Sequence, residues 1–273
     1  MLLRCAFVIA SLAAAPALAA FDLPIFDAHL HYNQEPDARL PVERVFALLE
    51  ANGVSGILAT SRPNEGTRAL LDARPAGLRI VPFLRPYRTT SDVQTWFRDP
   101  ATLELIESEF PLAPWAGIGE FHVHGKDAST DVVRKVVEFA RRHRLVLYAH
   151  SDVEALDLLF GHDPDARIIW AHTGFSLPAA EVEAALRRHP KLWAELSYRS
   201  GITGEGGRLT PQWESLFLRY PNRFLLGSDT WANSRWDAYA EVIAGYRRWL
   251  AQLPPDLARM IASGNAERLF GRR

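Results

Sequence analysis

Ile25-Phe26-Asp27-Ala28-His29-Leu30-His31 is a short apolar run that ends on two histidines. The same ending recurs along the chain. Gly119-Glu120-Phe121-His122-Val123-His124 closes a second run, His150 closes Leu145-Val146-Leu147-Tyr148-Ala149, and His172 closes Ile168-Ile169-Trp170-Ala171. Asp229 follows Phe224-Leu225-Leu226-Gly227-Ser228. Six of the nine histidines therefore sit at the ends of apolar runs. Runs of this length between turn residues read as buried parallel strands. Ligands at five such ends reach one mouth of a sheet, and imidazole with carboxylate at one mouth describes a metal site.

Working outward, eight apolar runs can be counted, at 24–29, 54–60, 79–85, 116–121, 145–150, 167–172, 191–197 and 223–229. Amphipathic segments separate them. Pro41–Ala51 carries Val42, Val45, Phe46 and Leu49 at helical spacing, and Asp131–Arg142 repeats the device with Val132, Val133, Val136, Val137 and Ala140. Asp152–Phe160, Ala179–Arg188 and Trp213–Tyr220 continue it, with Pro41, Pro178 and Pro211 near helix starts. Eightfold strand–helix alternation predicts an α/β fold, a (β/α)8 TIM barrel with its metal site at the C-terminal ends of the strands. An open doubly wound sheet is the competitor, but no glycine-rich phosphate loop follows the first run. Only a closed sheet makes the first and eighth strands neighbours, as the ligand set requires. The segment from Trp236 to Phe270 reads as helical with a break at Pro254-Pro255, and its end is expected on the barrel's outer wall.

The first residues read as an export signal. Arg4 precedes an apolar stretch from Cys5 to Ala15, and Ala17-Leu18-Ala19 fits small-x-small cleavage. The stretch is short for a membrane span, which needs roughly 20 residues. The expected division is a signal peptide at 1–19 and one metal-dependent hydrolase barrel domain at 20–273, exported to the periplasm or beyond. That domain matches the roughly 250 residues of a barrel. The single cysteine, Cys5, lies in the signal, so neither disulfides nor thiolate ligands are expected and any metal is held by nitrogen and oxygen. A formal charge of −1 gives no global signal for nucleic acid or a membrane surface.

His29 and His31 point to the same side of a strand, because side chains alternate. Asp27 is either a support for an imidazole or a strand-end residue bonded to backbone. Asp229 suits a role beyond ligation. A divalent ion lowers the pKa of coordinated water to about 7, and a carboxylate touching both can shuttle the proton. His122 and His124 face the same way as Glu120, and His122 is open to a metal or a substrate role. His143, His162 and His189 fall among polar neighbours and read as solvated or capping residues, and Arg141, Arg142 and Arg144 as a solvated helix end.

Asp27-Ala28-His29-Leu30-His31, the acid Glu120, His150, His172 and Asp229 together resemble the metal motif set of the amidohydrolase superfamily, in strand order and over the whole chain beyond residue 19. Gly264-Asn265-Ala266-Glu267-Arg268-Leu269-Phe270 is similar to the ending of its amidohydrolase-2 (amidohydrolase-related) branch. The resemblance implies that His29, His31 and Asp229 hold a deeper ion, that His150 and His172 hold a more exposed one, and that Glu120 bridges the two. A bridging glutamate is closest to the TatD-type arrangement; mononuclear relatives lack the bridge. It implies a divalent cofactor, two ions per chain, with zinc first and manganese, iron or nickel as alternatives. The departure from the pattern is His122 and His124.

Cations and aromatics follow other strand ends: Arg62, then Arg85, Tyr87 and Arg88, then Tyr198 and Arg199, then Trp231. Arg85, Arg88 and Arg199 are expected to clamp a carboxylate or phosphate, and Tyr198 and Trp231 to pack on an apolar part of the substrate. The function expected is an exported metal-dependent hydrolase of an ester, lactone, amide or phosphoester bond in a small anionic substrate. The alternatives are a metal-dependent decarboxylase of the amidohydrolase-2 branch and a non-catalytic metal-binding protein. The sequence leaves the oligomeric state open.

Overall fold

The structure is a computed structural model that describes residues 21–33 and 40–271. The expected signal peptide lies outside the described residues. Eight parallel strands follow one another around a single sheet: β1 (Ile25–His31), β2 (Val54–Thr60), β3 (Arg79–Leu84), β4 (Gly117–His122), β5 (Val146–His150), β6 (Ile168–Trp170), β7 (Leu192–Glu195) and β8 (Phe224–Leu225). The sheet closes between its first and last members. Asp27 bridges Leu226 in parallel register, Ala28 N–H donates to the Leu226 carbonyl at 2.7 Å, and Asp229 N–H donates to the His29 carbonyl at 2.7 Å. The fold is a (β/α)8 barrel.

Helices α1 (Val42–Ala51), α2 (Glu65–Asp72), α3 (Ala101–Glu109), α4 (Asp131–His143), α5 (Val153–His162), α6 (Ala179–Arg188) and α7 (Pro211–Arg219) return the chain between strands. The last strand is followed by α8 (Asn233–Asp237), α9 (Tyr239–Leu250), α10 (Pro255–Arg259) and α11 (Asn265–Phe270). Helix α4 shows why these segments fold as they do. Thr130 Oγ1 caps its N-terminus by accepting from Val133 N–H, Asp131 lies in the first turn, and Arg141, Arg142 and His143 lie in the last. Its Val132, Val133, Val136, Val137 and Ala140 are buried against the sheet. Among the described residues no helix is long and apolar enough to cross a membrane.

Inward-facing side chains fill the barrel in layers. Phe26, Leu58, Val81, Phe83, Val146, Ile169 and Leu225 form the lower part and Tyr148 lies above them. The C-terminal helix corrects the expectation of an outer-wall position. Ala266, Leu269 and Phe270 of α11 pack into this interior cluster, with the Phe270 ring 6.0 Å from Phe26 and 5.9 Å from Phe83. Asn265 Nδ2 anchors α11 by donating to the carbonyls of Pro221 and Phe224. The helix plugs the end where the strands begin, which leaves the other end for chemistry.

Candidate metal centre

At that other end, β1 delivers His29 and His31, β4 delivers Glu120, β5 delivers His150, and the loops after β6 and β8 deliver His172 and Asp229. All six side chains converge. His29 Nε2 and His31 Nε2 are 3.0 Å apart, and Asp229 Oδ1 lies 3.4 Å and 3.2 Å from them. Glu120 turns its two oxygens to different partners. Oε2 lies 3.2 Å from His31 Nε2 and 3.6 Å from His29 Nε2, while Oε1 lies 3.1 Å from His150 Nδ1 and 3.5 Å from His172 Nε2. Three overlapping triads satisfy metal-ligand spacing: His29/His31/Asp229, His29/Glu120/His172 and Glu120/His122/His150.

The local backbone is unusual where it must aim a ligand. His172 and Asp229 adopt left-handed φ values of 56° and 50°, as do Thr173, Phe175 and Tyr198 nearby. The strand ends therefore stop short of these ligands, and turns aim them. Gly227 has no side chain because a Cβ there would collide with Glu195 and with the His29 Cβ.

The donor set fits a divalent ion. Four imidazoles and two buried carboxylates lie edge to edge at 3.0–3.9 Å. Bonds of 2.0–2.1 Å in a tetrahedron would space ligand atoms by roughly 3.3 Å. Burial opposes the charge on Glu120, yet the surrounding imidazoles, His29 foremost, hold its carboxyl well below the usual range. Burial likewise opposes ionised Asp229, but His29 and His31 bring it to about 2. Burial disfavours protonated His29, and Asp229, Glu195 and Glu120 overcome this and raise it well above its ordinary value. His122 is lowered to about 3, chiefly by burial.

The partner of each ring's far nitrogen sorts the histidines. His29 Nδ1 donates to Glu195 Oε2 at 2.9 Å, so Nε2 is the nitrogen that offers a lone pair to the centre once the ring is neutral. His172 Nδ1 donates to the Ser197 carbonyl at 3.1 Å with the same result. His31 differs, because its Nδ1 receives the Arg85 guanidinium at 2.9 Å, and arginine can only donate. His31 Nε2 therefore carries a proton towards Glu120 and Asp229 in this arrangement, and ligation requires that proton to leave. Arg85 is buried and also faces Glu120 Oε2 at 3.4 Å.

Glu195 is the support the sequence reading missed. It is fully buried at the end of β7 and accepts from His29, from Ser197 and from the His172 backbone N–H. Its signal was a lone acid inside the apolar run 191–197. Asp27 resolves as a backbone tie. Its carboxylate accepts from the N–H groups of His29 and Ser228 and the hydroxyls of Ser228 and Tyr239, joining β1 to the loop after β8.

Above the centre lies a cleft of about 440 Å3, within the size range of small-molecule sites. Asn33, Arg62, Arg85, Thr90, Val93 and His122 line it, with Phe175, Tyr198 and Trp231 at the mouth. These three aromatics are exposed, and the Trp231 indole N–H donates to the Tyr198 hydroxyl at 3.1 Å. Two expected substrate residues are corrected. Arg88 does not line the cleft; its guanidinium is held by Asp92 and Asp99. Arg199 turns away to the carbonyls of Phe175, Leu177 and Ser200 and stacks on Trp213 at 4.6 Å. His124 is exposed and does not line the cleft. His143, His162 and His189 lie away from the centre: His143 packs on Phe110 and Phe139, His162 bonds the Ala128 carbonyl, and His189 bonds Asp157.

The amidohydrolase-2 family model, described as Amidohydrolase, matches residues 117–272. The chain belongs to the amidohydrolase family. It is a metal-dependent enzyme of the hydrolase type acting on small molecules. The match takes in Glu120, His150, His172 and Asp229, and the barrel supplies His29 and His31 beside them. No curated protein matched the chain. Among solved structures, a TatD homologue from Escherichia coli is similar, at 17% identity and a TM-score of 0.62, covering 92% of this chain and 100% of its own. A Pseudomonas putida protein, provisionally described as a 2-pyrone-4,6-dicarboxylic acid hydrolase, has 17% identity and a TM-score of 0.61 over 91% and 98%. A zinc-bound amidohydrolase from Burkholderia multivorans has 16% identity and a TM-score of 0.59 over 91% and 99%.

Proposed function

We propose that this amidohydrolase is a binuclear hydrolase that attacks an ester, lactone, amide or phosphoester bond of a small anionic substrate with an apolar portion. The observation that carries the two-ion reading is the Glu120 carboxylate. One oxygen faces His29 and His31 and the other faces His150 and His172, the orientation a bridge requires. His29, His31 and Asp229 would hold the inner ion, and His150 and His172 the outer one. Zinc is the first candidate, in keeping with the Burkholderia protein, and manganese, iron and nickel suit the same donors. When bound, such ions supply Lewis acidity and make water acidic near neutrality.

The chain's own groups do the rest. Asp229 is ionised at neutral pH, so it accepts a proton from the attacking water and passes it to the leaving oxygen or nitrogen. Glu195 fixes the ring of His29 and Ser197 that of His172, so the pocket keeps its shape as charge develops. Arg62 and Arg85 give the cleft its positive side. Phe175, Tyr198 and Trp231 offer apolar faces to the rest of the substrate. The dicarboxylic acid named for the Pseudomonas protein has this kind of charge. We also propose export, on the pattern of Arg4, the apolar Cys5–Ala15 stretch and Ala17-Leu18-Ala19.

Arg85 favours a second reading with one ion. It donates to His31 Nδ1 and pairs with the Glu120 carboxylate, so both groups are already engaged by the guanidinium. A decarboxylase would also need only a single polarising ion. Assay of the metal-loaded protein against carboxylic esters, lactones, amides, phosphoesters and aromatic carboxylic acids separates these readings. Hydrolysis of an anionic member is expected, and carbon dioxide release without hydrolysis would overturn the proposal.

A further inference from the structure

Asp229 sits at a φ of 50°, a left-handed conformation that a residue with a side chain holds only where its surroundings fix it. One side of its turn is fixed by β1. Asp229 N–H donates to the His29 carbonyl, Ser228 N–H to the Asp27 carboxylate, and Thr230 Oγ1 to the His31 carbonyl. The carbonyls of Ser228 and Asp229 turn instead to Arg235 of α8. Arg235 Nη2 donates to the Ser228 carbonyl at 2.6 Å, and Nε donates to the Asp229 carbonyl at 3.4 Å. The same guanidinium lies over the Tyr198 ring, 4.1 Å from its centroid. Tyr198 is itself left-handed, at a φ of 50°, and its hydroxyl accepts the Trp231 indole N–H at the cleft mouth.

Arginine has the shape for both tasks at once. Its N–H groups bond carbonyls while the delocalised cation rests on an aromatic ring. A lysine ammonium is a point charge that meets one such partner well and not all three. Arg235 does not line the cleft, so it acts through the residues it holds. Resting on the hydrolase reading above, we propose that Arg235 is a positioning residue that locks the Asp229 turn to the aromatic rim. The carboxylate that accepts the proton and the rings that receive the apolar part of the substrate are then held as one unit. An apolar group seated on Tyr198 and Trp231 is therefore felt in kcat as well as in KM.

The test compares Arg235→Met, which keeps an apolar stem and removes every donor, with Arg235→Lys in the full-length protein. Trp231 reports the rim. Its emission, taken as the difference between each protein and the same protein carrying Trp231→Phe, should be quenched more strongly by iodide in Arg235→Met before any metal is added. Unchanged quenching would overturn the link to the rim. Competition against a chelator reports the turn. Zinc affinity should fall about tenfold in Arg235→Met and recover in part in Arg235→Lys, as for other residues that orient a ligand. Unchanged affinity would overturn the link to Asp229. With 4-nitrophenyl acetate as probe ester, Arg235→Met should raise KM and lower kcat about tenfold through lost positioning. Tyr198→Leu should raise KM, and adding Arg235→Met to it should raise KM no further, whereas effects that simply add would make Arg235 structural only. If Arg235→Met does not fold, Arg235→Lys gives the same readouts with smaller changes in the same directions, and wild-type values in all of them would overturn the proposal. Wild-type protein without hydrolysis would end the hydrolase reading alone, because iodide quenching and zinc affinity still judge Arg235.

Discussion

Asp229 carries two demands on one carboxylate, since it is placed to bind an ion and to move a proton. Asp229→Asn keeps the shape and removes the base, so kcat should fall by about 10²–10⁴-fold. Metal content measured on the same sample separates lost proton transfer from lost ion, and full turnover with metal retained would end the role. The ion-free protein offers a pH test. Burial opposes the Asp229 charge, but His29 and His31 hold its pKa at about 2 against its ordinary 3.8. A depressed carboxylate stabilises the fold fully above the unfolded value and loses this as pH falls through the folded one. The melting-temperature gap between wild type and Asp229→Asn, both ion-free, should therefore shrink between pH 4 and pH 2. Arginines divide by where their guanidinium points. Arg88→Ala should leave KM and metal content unchanged, because its guanidinium is held by Asp92 and Asp99 and does not line the cleft. Arg199→Ala should lower stability by about 2 kcal/mol in chemical denaturation, through lost bonds to three carbonyls and the Trp213 face. A raised KM without loss of stability would instead return Arg199 to the substrate.

At the scale of elements, the strands were legible because a strand buried on both faces must be apolar throughout, and a ligand at its end interrupts that run. His29, His31, Glu120 and His150 follow this rule directly. His172 and Asp229 follow it loosely, because turns with left-handed φ carry them past the strand ends. Glu195 stayed hidden since a single acid in an apolar run does not say which ring it meets. Arg88 and Arg199 were misplaced because position after a strand gives proximity, not side-chain direction. The Glu195–His29 contact is the element-scale joint between β7 and β1. Glu195→Gln should weaken metal binding by about 10–100-fold with the fold intact, as loss of a carboxylate behind a ligating imidazole does. Competition against a chelator measures it, and unchanged affinity would make Glu195 purely structural.

For the whole molecule, the barrel separates stability from chemistry by its two ends. Phe270, Phe83, Tyr148 and His29 form a continuous column of rings from the plugged end to the centre, with neighbouring centroids 4.8–6.2 Å apart. The periodicity of the last helices was legible, but which surface they covered was not, since an apolar face fits the outer wall and the barrel floor equally well. Phe270→Ala should cost about 2–3 kcal/mol in chemical denaturation, less than a fully buried phenylalanine, and leave kcat unchanged. The central claim is that this barrel holds two divalent ions joined by Glu120. It is tested most directly by counting ions per chain by mass spectrometry of the purified protein, with Glu120→Gln beside it. Two ions in wild type and one in the variant is the expected result, whereas a single ion in both, or none, would contradict it.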